Sequence, residues 1–156
     1  MAEMMTNSPE ETEAAGASFA PRVAAGGVIA LYGGLGVGKT AFVRGLAAGL
    51  GLDAGVSSPT FALVNDYGGN PPLAHFDMYR VTGWEDLYST GFFDYLDAGA
   101  ILAVEWSENI EAALPDNAIR VYFTRLDEGR RLIRWEDPPA AGRGERRGGG
   151  KDGENG

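Results

Sequence analysis

The fold of this chain is decided by one stretch, Gly33-Gly34-Leu35-Gly36-Val37-Gly38-Lys39-Thr40. It matches the pattern G-x-x-x-x-G-K-[ST], in which glycines let backbone N–H groups turn inward around phosphate oxygens. Lys39 brings a positive charge to the outer phosphates, and the Thr40 hydroxyl is a ligand for magnesium. The stretch therefore predicts a loop that binds a nucleoside triphosphate together with Mg²⁺.

The flanking sequence favours the same interpretation. The apolar run at residues 28–32 predicts a buried strand before the loop, and residues 40–50 predict a helix that ends at Gly51. A strand, a glycine-rich loop and a helix in this order are the context that a phosphate-binding loop requires. The Thr40 end of the loop then lies at the positive N-terminal end of that helix.

The rest of the chain predicts a three-layer α/β domain whose sheet mixes parallel strands with antiparallel hairpins. Ser8, Pro9 and Glu11 predict a capped helix start, and this helix is expected to run to about residue 19. The other predicted helices cover residues 84–90, 92–96 and 107–114. A strand is predicted at 100–104, and hairpins are predicted at 61–67 with 73–79 and at 118–126 with 130–135.

Composition sets the boundaries of the domain and excludes several classes of protein. Residues 1–137 are expected to form the folded domain, and the glycine- and arginine-rich residues 138–156 a disordered tail. The absence of cysteine excludes disulfides, cysteine-ligated zinc and a thiol nucleophile. With no apolar run near the ~20 residues that a membrane span needs, and no signal peptide, we expect a cytoplasmic protein. The net charge of -9 argues against strong direct binding of nucleic acid.

Two acidic residues follow apolar strands and are candidates to complete the site. A phosphate-binding loop needs a second magnesium contact, usually an acid at the end of a neighbouring strand. Glu105 ends the strand predicted at 100–104, and Asp77 ends the apolar run at 73–76. His75, the only histidine, is expected on the same face as Asp77, where it is either a base or a structural residue.

Several segments in this order and spacing together resemble one family. They are residues 35–40 of the loop, Phe42-Val43-Arg44-Gly45, Ser57-Ser58-Pro59-Thr60-Phe61, His75-Phe76-Asp77-Met78-Tyr79-Arg80, Glu105-Trp106 and Leu114-Pro115. The chain resembles, from about residue 8 to about residue 134, the TsaE family of bacterial ATPases. These proteins are needed for the threonylcarbamoyl modification of the adenosine next to the anticodon in tRNA.

The resemblance implies a role for each matching residue. Thr40 and Glu105 would bind magnesium, while Lys39 would stabilise the charge on the transferred phosphate. Thr60 would lie on a switch-like loop near the terminal phosphate, and Asp77 would position or activate the attacking water. Three further residues would lie near the nucleotide, namely Thr12, Glu108 and Gly129. Trp106 would neighbour the site.

The resemblance also implies partner proteins, and this chain departs from the common family pattern at two positions of the loop. ATP hydrolysis would reset a complex with the threonylcarbamoyl transferase subunit and its companion subunit. No obvious arginine finger is found, although Arg44 and Arg80 are candidates, so the isolated chain would hydrolyse ATP slowly and need its partners for a competent site. Gly34 stands where the family commonly has an acid, and Val37 stands where it commonly has alanine.

Three other functions remain open from the sequence. A small-molecule kinase could use the same loop, although no arginine-rich lid for a second substrate is found. A GTPase is suggested only by the loose D-x-x-G match that begins at Asp66, and no Asn-Lys-x-Asp follows to select guanine. A regulatory subunit could bind the nucleotide without needing to hydrolyse it.

Overall fold

The described residues of this protein form a sheet of seven strands in the order β1-β7-β6-β2-β5-β4-β3. The computed structural model describes residues 1–34, 36–52 and 64–138. The strands are β1 Ala2–Thr6, β2 Gly27–Tyr32, β3 Val64–Gly69, β4 Pro72–Asp77, β5 Ile101–Glu105, β6 Ile119–Arg125 and β7 Arg131–Glu136. The helices are α1 Pro9–Ala17, α2 Ala20–Val23, α3 Lys39–Gly49, α4 Trp84–Ser89, α5 Phe92–Asp97 and a 3-10 helix at Ser107–Ala113.

The centre of the sheet is parallel and its margins are antiparallel. β2 pairs in parallel with β5 and β6, and β5 pairs in parallel with β4. The hairpins β3–β4 and β6–β7 and the pair β1–β7 are antiparallel. Parallel strands end at one edge of the sheet, so the ends of β2, β4 and β5 meet there.

Helices cover both faces of the sheet and form two apolar cores. On one face α1, α2 and α3 bury Phe19, Phe42 and Leu46 against β2. On the other face α4, α5 and the 3-10 helix bury Leu87 and Phe92 against β4 and β5. This arrangement confirms the predicted three-layer α/β fold with a mixed sheet. Among the described residues, no helix combines the length and apolar character that crossing a bilayer requires.

Glycines bring α1 and α3 into very close contact. A Cβ atom at Gly16 would lie 1.9 Å from the carbonyl oxygen of Phe42, and one at Gly45 would lie 1.7 Å from that of Glu13. Both distances are far inside van der Waals contact, so only glycine fits at these two positions. The close crossing fixes α3, and hence the loop that precedes it, against α1.

The structure departs from the sequence expectations mainly at the N-terminal end. The strand β1 was not predicted, because a short edge strand leaves little pattern beyond the inward positions of Met4 and Thr6. Ser8 caps α1 as predicted, accepting from Glu11 N–H at 3.1 Å. The helix ends at Ala17 rather than near residue 19, since the separate helix α2 begins at Ala20 with Pro21 in its first turn. Residues 61–63 of the predicted first hairpin strand, and the tail from 139 to 156, lie outside the described residues.

Candidate nucleotide site

The glycine-rich loop connects β2 to the first turn of α3. Its glycines at 33, 36 and 38 all have positive φ, and Gly38 immediately precedes α3 with φ 99°. A Cβ atom at Gly33 would lie 3.0 Å from the carbonyl oxygen of Phe123, so both the backbone angle and the space require glycine there. Leu35 lies outside the described residues. Glycines with positive φ are the residues that let the backbone of an anion-binding loop turn its N–H groups inward.

Lys39 reaches across the mouth of the loop. Its Nζ donates to the carbonyl oxygen of Gly33 at 2.6 Å and lies 4.2 Å from the centre of the Trp106 ring. Burial lowers the pKa of Lys39, and the nearby carboxylates of Glu105, Glu108 and Asp77 partly oppose that effect. A carbonyl and an aromatic face are weaker partners for an ammonium group than phosphate oxygens are. Lys39 is therefore positioned to exchange these contacts for a phosphate.

Trp106 has an unusual backbone conformation that brings its indole ring into contact with Lys39. It is the one residue other than glycine in the described part of the chain with positive φ, at 58°. Such left-handed geometry at a bulky residue is uncommon and clusters at functional sites. It turns the chain sharply after β5, so that the Trp106 indole lies beneath the Lys39 ammonium group.

The two residues expected to bind magnesium lie in contact. The Thr40 hydroxyl, in the first turn of α3, donates to Oε2 of Glu105 at 3.3 Å. Glu105 ends β5, and its side chain is buried, with only 5% of the residue exposed. The described residues contain no group of three or more His, Cys, Asp or Glu side chains that could hold a metal. A magnesium ion bound by Thr40 and Glu105 would thus take its other oxygen ligands from phosphate and water, as Mg²⁺ commonly does.

Asp77 lies beside Glu105 because of the sheet register. The two residues are direct partners in the parallel pairing of β4 with β5. Asp77 is half-buried, and its Oδ1 accepts the backbone N–H of Tyr79 at 2.9 Å. The carboxylate is therefore held at the same sheet edge as Glu105, and its negative charge acts to raise the pKa of Lys39.

His75 is fully buried and lies on the same strand as Asp77, β4, with one residue between them. Its Nε2 is 2.6 Å from Oε2 of Glu105, which also accepts the Thr40 hydroxyl. Its Nδ1 is 3.5 Å from the Tyr67 hydroxyl, and Asn65 donates to that hydroxyl at 3.3 Å. The structure thus joins the only histidine to the candidate metal ligand, a contact that the strand alternation alone did not predict.

The remaining predicted residues lie at different distances from the loop. Thr12 is buried, shares a 2.8 Å hydrogen bond with Thr6, and would be 3.4 Å from a Cβ atom at Gly38. Glu108 is exposed on the 3-10 helix, near enough to influence Lys39. Gly129 lies in the β6–β7 turn, where an added Cβ atom would lie 3.5 Å from the carbonyl oxygen of Asn7. Thr60 lies outside the described residues.

One arginine contacts the phosphate loop, and the two candidate arginine fingers have other surroundings. Arg131, which sequence reasoning missed, donates from Nη2 to the carbonyl oxygen of Gly36 at 3.1 Å. The same guanidinium donates to the carbonyl oxygens of Asp127 and Glu128, so it ties the β6–β7 turn to the phosphate loop. Arg44, a candidate arginine finger, instead pairs with Glu13 of α1 at 3.0 Å. Arg80 is exposed after β4.

Comparison with known sequences identifies the same family as the motifs. Residues 6–133 match the profile described as "Threonylcarbamoyl adenosine biosynthesis protein TsaE". The tRNA threonylcarbamoyladenosine biosynthesis protein TsaE of Treponema pallidum is 37% identical over 108 residues, which cover 69% of this chain and 80% of that protein. The protein of the same name from Bacillus subtilis is 36% identical over 129 residues, covering 82% of this chain and 80% of its own.

A solved structure has the same fold. The crystal structure of Bacillus subtilis YdiB superposes with a TM-score of 0.71 at 31% sequence identity. The superposition covers 88% of this chain and 86% of YdiB. The similarity therefore extends over most of both chains.

Proposed function

Because this chain belongs to the TsaE family, we propose that it is the magnesium-dependent ATPase of threonylcarbamoyladenosine synthesis in tRNA. The observation that carries the proposal is the contact between Thr40 and Glu105 beside the Lys39 ammonium group. A hydroxyl, a carboxylate and a lysine next to a loop of inward N–H groups form the set that phosphoryl transfer uses. The protein would supply ATP turnover to the pathway and would not itself transfer the threonylcarbamoyl group.

The chain's own residues would act mainly by positioning and by charge. The backbone N–H groups of residues 33–40 would surround the phosphates, and Lys39 would neutralise charge that develops on the phosphoryl oxygens. Thr40 and Glu105 would hold Mg²⁺, which supplies further charge stabilisation when it is bound. Asp77 and Thr60 would orient the attacking water. Thr12, Glu108 and the turn at Gly129 would lie around the rest of the nucleotide.

The acidic surface supports a division of labour within a complex. With a net charge of -9, this chain is poorly suited to hold tRNA by its phosphates. We infer that the transferase subunit and its companion hold the substrate in the cytoplasm, and that hydrolysis here resets their complex. The isolated chain is expected to turn ATP over slowly, because neither Arg44, paired with Glu13, nor exposed Arg80 is held against the loop.

Phosphate release by purified protein tests the proposal. The wild-type chain should release phosphate from ATP in the presence of Mg²⁺, and should do so faster when the transferase and companion subunits are added. Lys39→Ala should lower this rate by at least about 100-fold, the usual effect of removing one charge-stabilising group. Lys151→Ala, which removes the chain's other lysine, is the matched control and should leave the rate unchanged.

The same assay separates the alternatives. Phosphate that appears on an added small molecule rather than in water would favour a kinase, and equal use of GTP would favour a GTPase. A wild-type complex that works fully with a non-hydrolysable ATP analogue would favour a regulatory subunit. Each of these results would contradict the proposed ATPase.

A further inference from the structure

The buried Glu105 carboxylate needs partners, and His75 is the closest of them. Burying a carboxylate is costly unless hydrogen bonds or a cation compensate for the lost water. His75, itself fully buried, contacts Oε2 of Glu105 at 2.6 Å, a shorter distance than the 3.3 Å from the Thr40 hydroxyl. An apolar residue at position 75 would fill the same space but would offer the Glu105 carboxylate no hydrogen bond. The imidazole is therefore placed to form a hydrogen bond with the Glu105 carboxylate.

The hydrogen bonds behind His75 run in one direction. A carboxylate only accepts, so Nε2 of His75 carries the proton that faces Glu105. In the neutral imidazole with its proton on Nε2, Nδ1 accepts from the Tyr67 hydroxyl, 3.5 Å away, and the same hydroxyl oxygen accepts from Asn65 Nδ2 at 3.3 Å. Strands β3, β4 and β5 thus contribute successive residues of one chain of hydrogen bonds, and the Glu105 carboxylate is its final acceptor.

We propose that His75 is a positioning residue that fixes the Glu105 carboxylate for the magnesium ion. The inference rests on the proposed function, since it concerns the same metal. When a ligand is held by an outer hydrogen bond, its rotamer and basicity are set before the metal arrives. His75 touches neither the nucleotide nor the water in this account, and it acts only through Glu105.

Metal affinity, measured apart from catalysis, tests the proposal. Mn²⁺ replaces Mg²⁺ as the probe, and electron paramagnetic resonance measures its binding to the protein with ADP. His75→Leu should weaken Mn²⁺ binding by about 10- to 100-fold, the usual effect of losing an outer partner. His75→Gln, whose amide can still donate to Glu105, should restore most of the affinity. ADP affinity in EDTA should be the same in all three proteins.

The outcomes distinguish this proposal from the proposed function. Failure of the wild-type protein to bind Mn²⁺ with ADP would overturn both. Normal Mn²⁺ binding by His75→Leu would overturn the role of His75 alone. Equal losses of Mn²⁺ affinity and of metal-free ADP affinity in His75→Leu would assign the histidine a purely structural role, and would overturn the proposal too.

A spectroscopic test needs no variant. Because the chain has one histidine, long-range ¹H–¹⁵N correlation spectra of the imidazole report on His75 alone. The expected pattern has the proton on Nε2, and the Nε2 signal should move when Mg²⁺ and ADP are added. A proton on Nδ1 with a bare Nε2 would contradict the hydrogen-bond direction. An Nε2 signal that does not move when Mg²⁺ and ADP are added would contradict the link between His75 and the metal.

Discussion

The phosphate loop and the acidic strand ends are the two halves of the candidate site, and they are built in different ways. The loop is one continuous segment that would act through its own backbone, with glycine at the positions of positive φ. The acidic half is assembled from β4 and β5, whose register places Asp77 opposite Glu105. Changes near the loop should therefore alter nucleotide binding or folding, whereas changes at the strand ends should alter metal use and catalysis.

The largest effect is expected where the loop's support is broken. Gly45→Ala places a methyl group 1.7 Å from the Glu13 carbonyl, which forces α1 and α3 apart. We expect the free energy of unfolding to fall by about 3 kcal/mol or more, because the overpacked backbone cannot yield as a side chain can. Urea denaturation measures this change. Gly34→Ala, whose new methyl group would have no atom of the described residues within 4 Å beyond its chain neighbours, should stay within about 0.5 kcal/mol of wild type.

Asp77→Asn tests the acidic half without disturbing the loop. The amide keeps the size and can still accept from Tyr79 N–H, but it removes the charge that would orient and activate water. We expect ATP hydrolysis to fall by about 100-fold with little change in ATP affinity. Single-turnover phosphate release measures the first quantity and calorimetry the second. A loss of affinity as large as the loss of rate would place Asp77 in nucleotide binding instead.

Arg131→Ala should loosen the loop from the hairpin that supports it. The variant loses the hydrogen bond to Gly36 and those to the β6–β7 turn. A net value of about 1 kcal/mol for such a bond predicts ADP binding weaker by about fivefold. Arg134→Ala is the control, because that exposed side chain lies on the same strand and makes a long ion pair, 4.0 Å, with Glu3. Equal affinities in the two variants would separate Arg131 from the loop's function.

The smallest effect expected is a pH dependence of nucleotide binding. Burial lowers the pKa of Lys39 from the ordinary lysine value of 10.5, so the free protein begins to lose this charge at a lower pH than an exposed lysine would. Bound phosphate favours the charged form, so at alkaline pH binding should take up protons and affinity should fall as the pH rises. Calorimetry at pH 9 in two buffers of different ionisation enthalpy measures the uptake. Identical binding enthalpies in both buffers would contradict this prediction.

The difference between the two halves also explains what could be predicted from the sequence. A phosphate-binding loop could be predicted because the chemistry of such a loop depends on residue type and spacing within eight consecutive positions, from Gly33 to Thr40. Glu105 could be proposed because an acid directly after an apolar strand is unusual. That Thr40 and Glu105 touch depends on how α3 crosses the sheet, and the packing of Gly45 on α1 decides that crossing.

The contacts that sequence reasoning missed all join distant segments. His75 was placed on the correct strand, but its contact with Glu105 depends on the alignment of β4 with β5. Arg131 gave no motif, since its link to Gly36 spans 95 positions in the chain. The strand β1 was missed because its pairing with β7 stabilises an otherwise weak pattern. Such features follow from tertiary packing, which one sequence does not display.

The most direct test of the account asks whether Glu105 couples magnesium to the nucleotide. ADP affinity should be measured with Mg²⁺ and with EDTA, for wild type, Glu105→Gln and the exposed control Glu85→Gln. The account predicts that Mg²⁺ strengthens ADP binding in wild type and Glu85→Gln, and that Glu105→Gln loses this gain while keeping its affinity in EDTA. A gain from Mg²⁺ that is equal in all three proteins would contradict it.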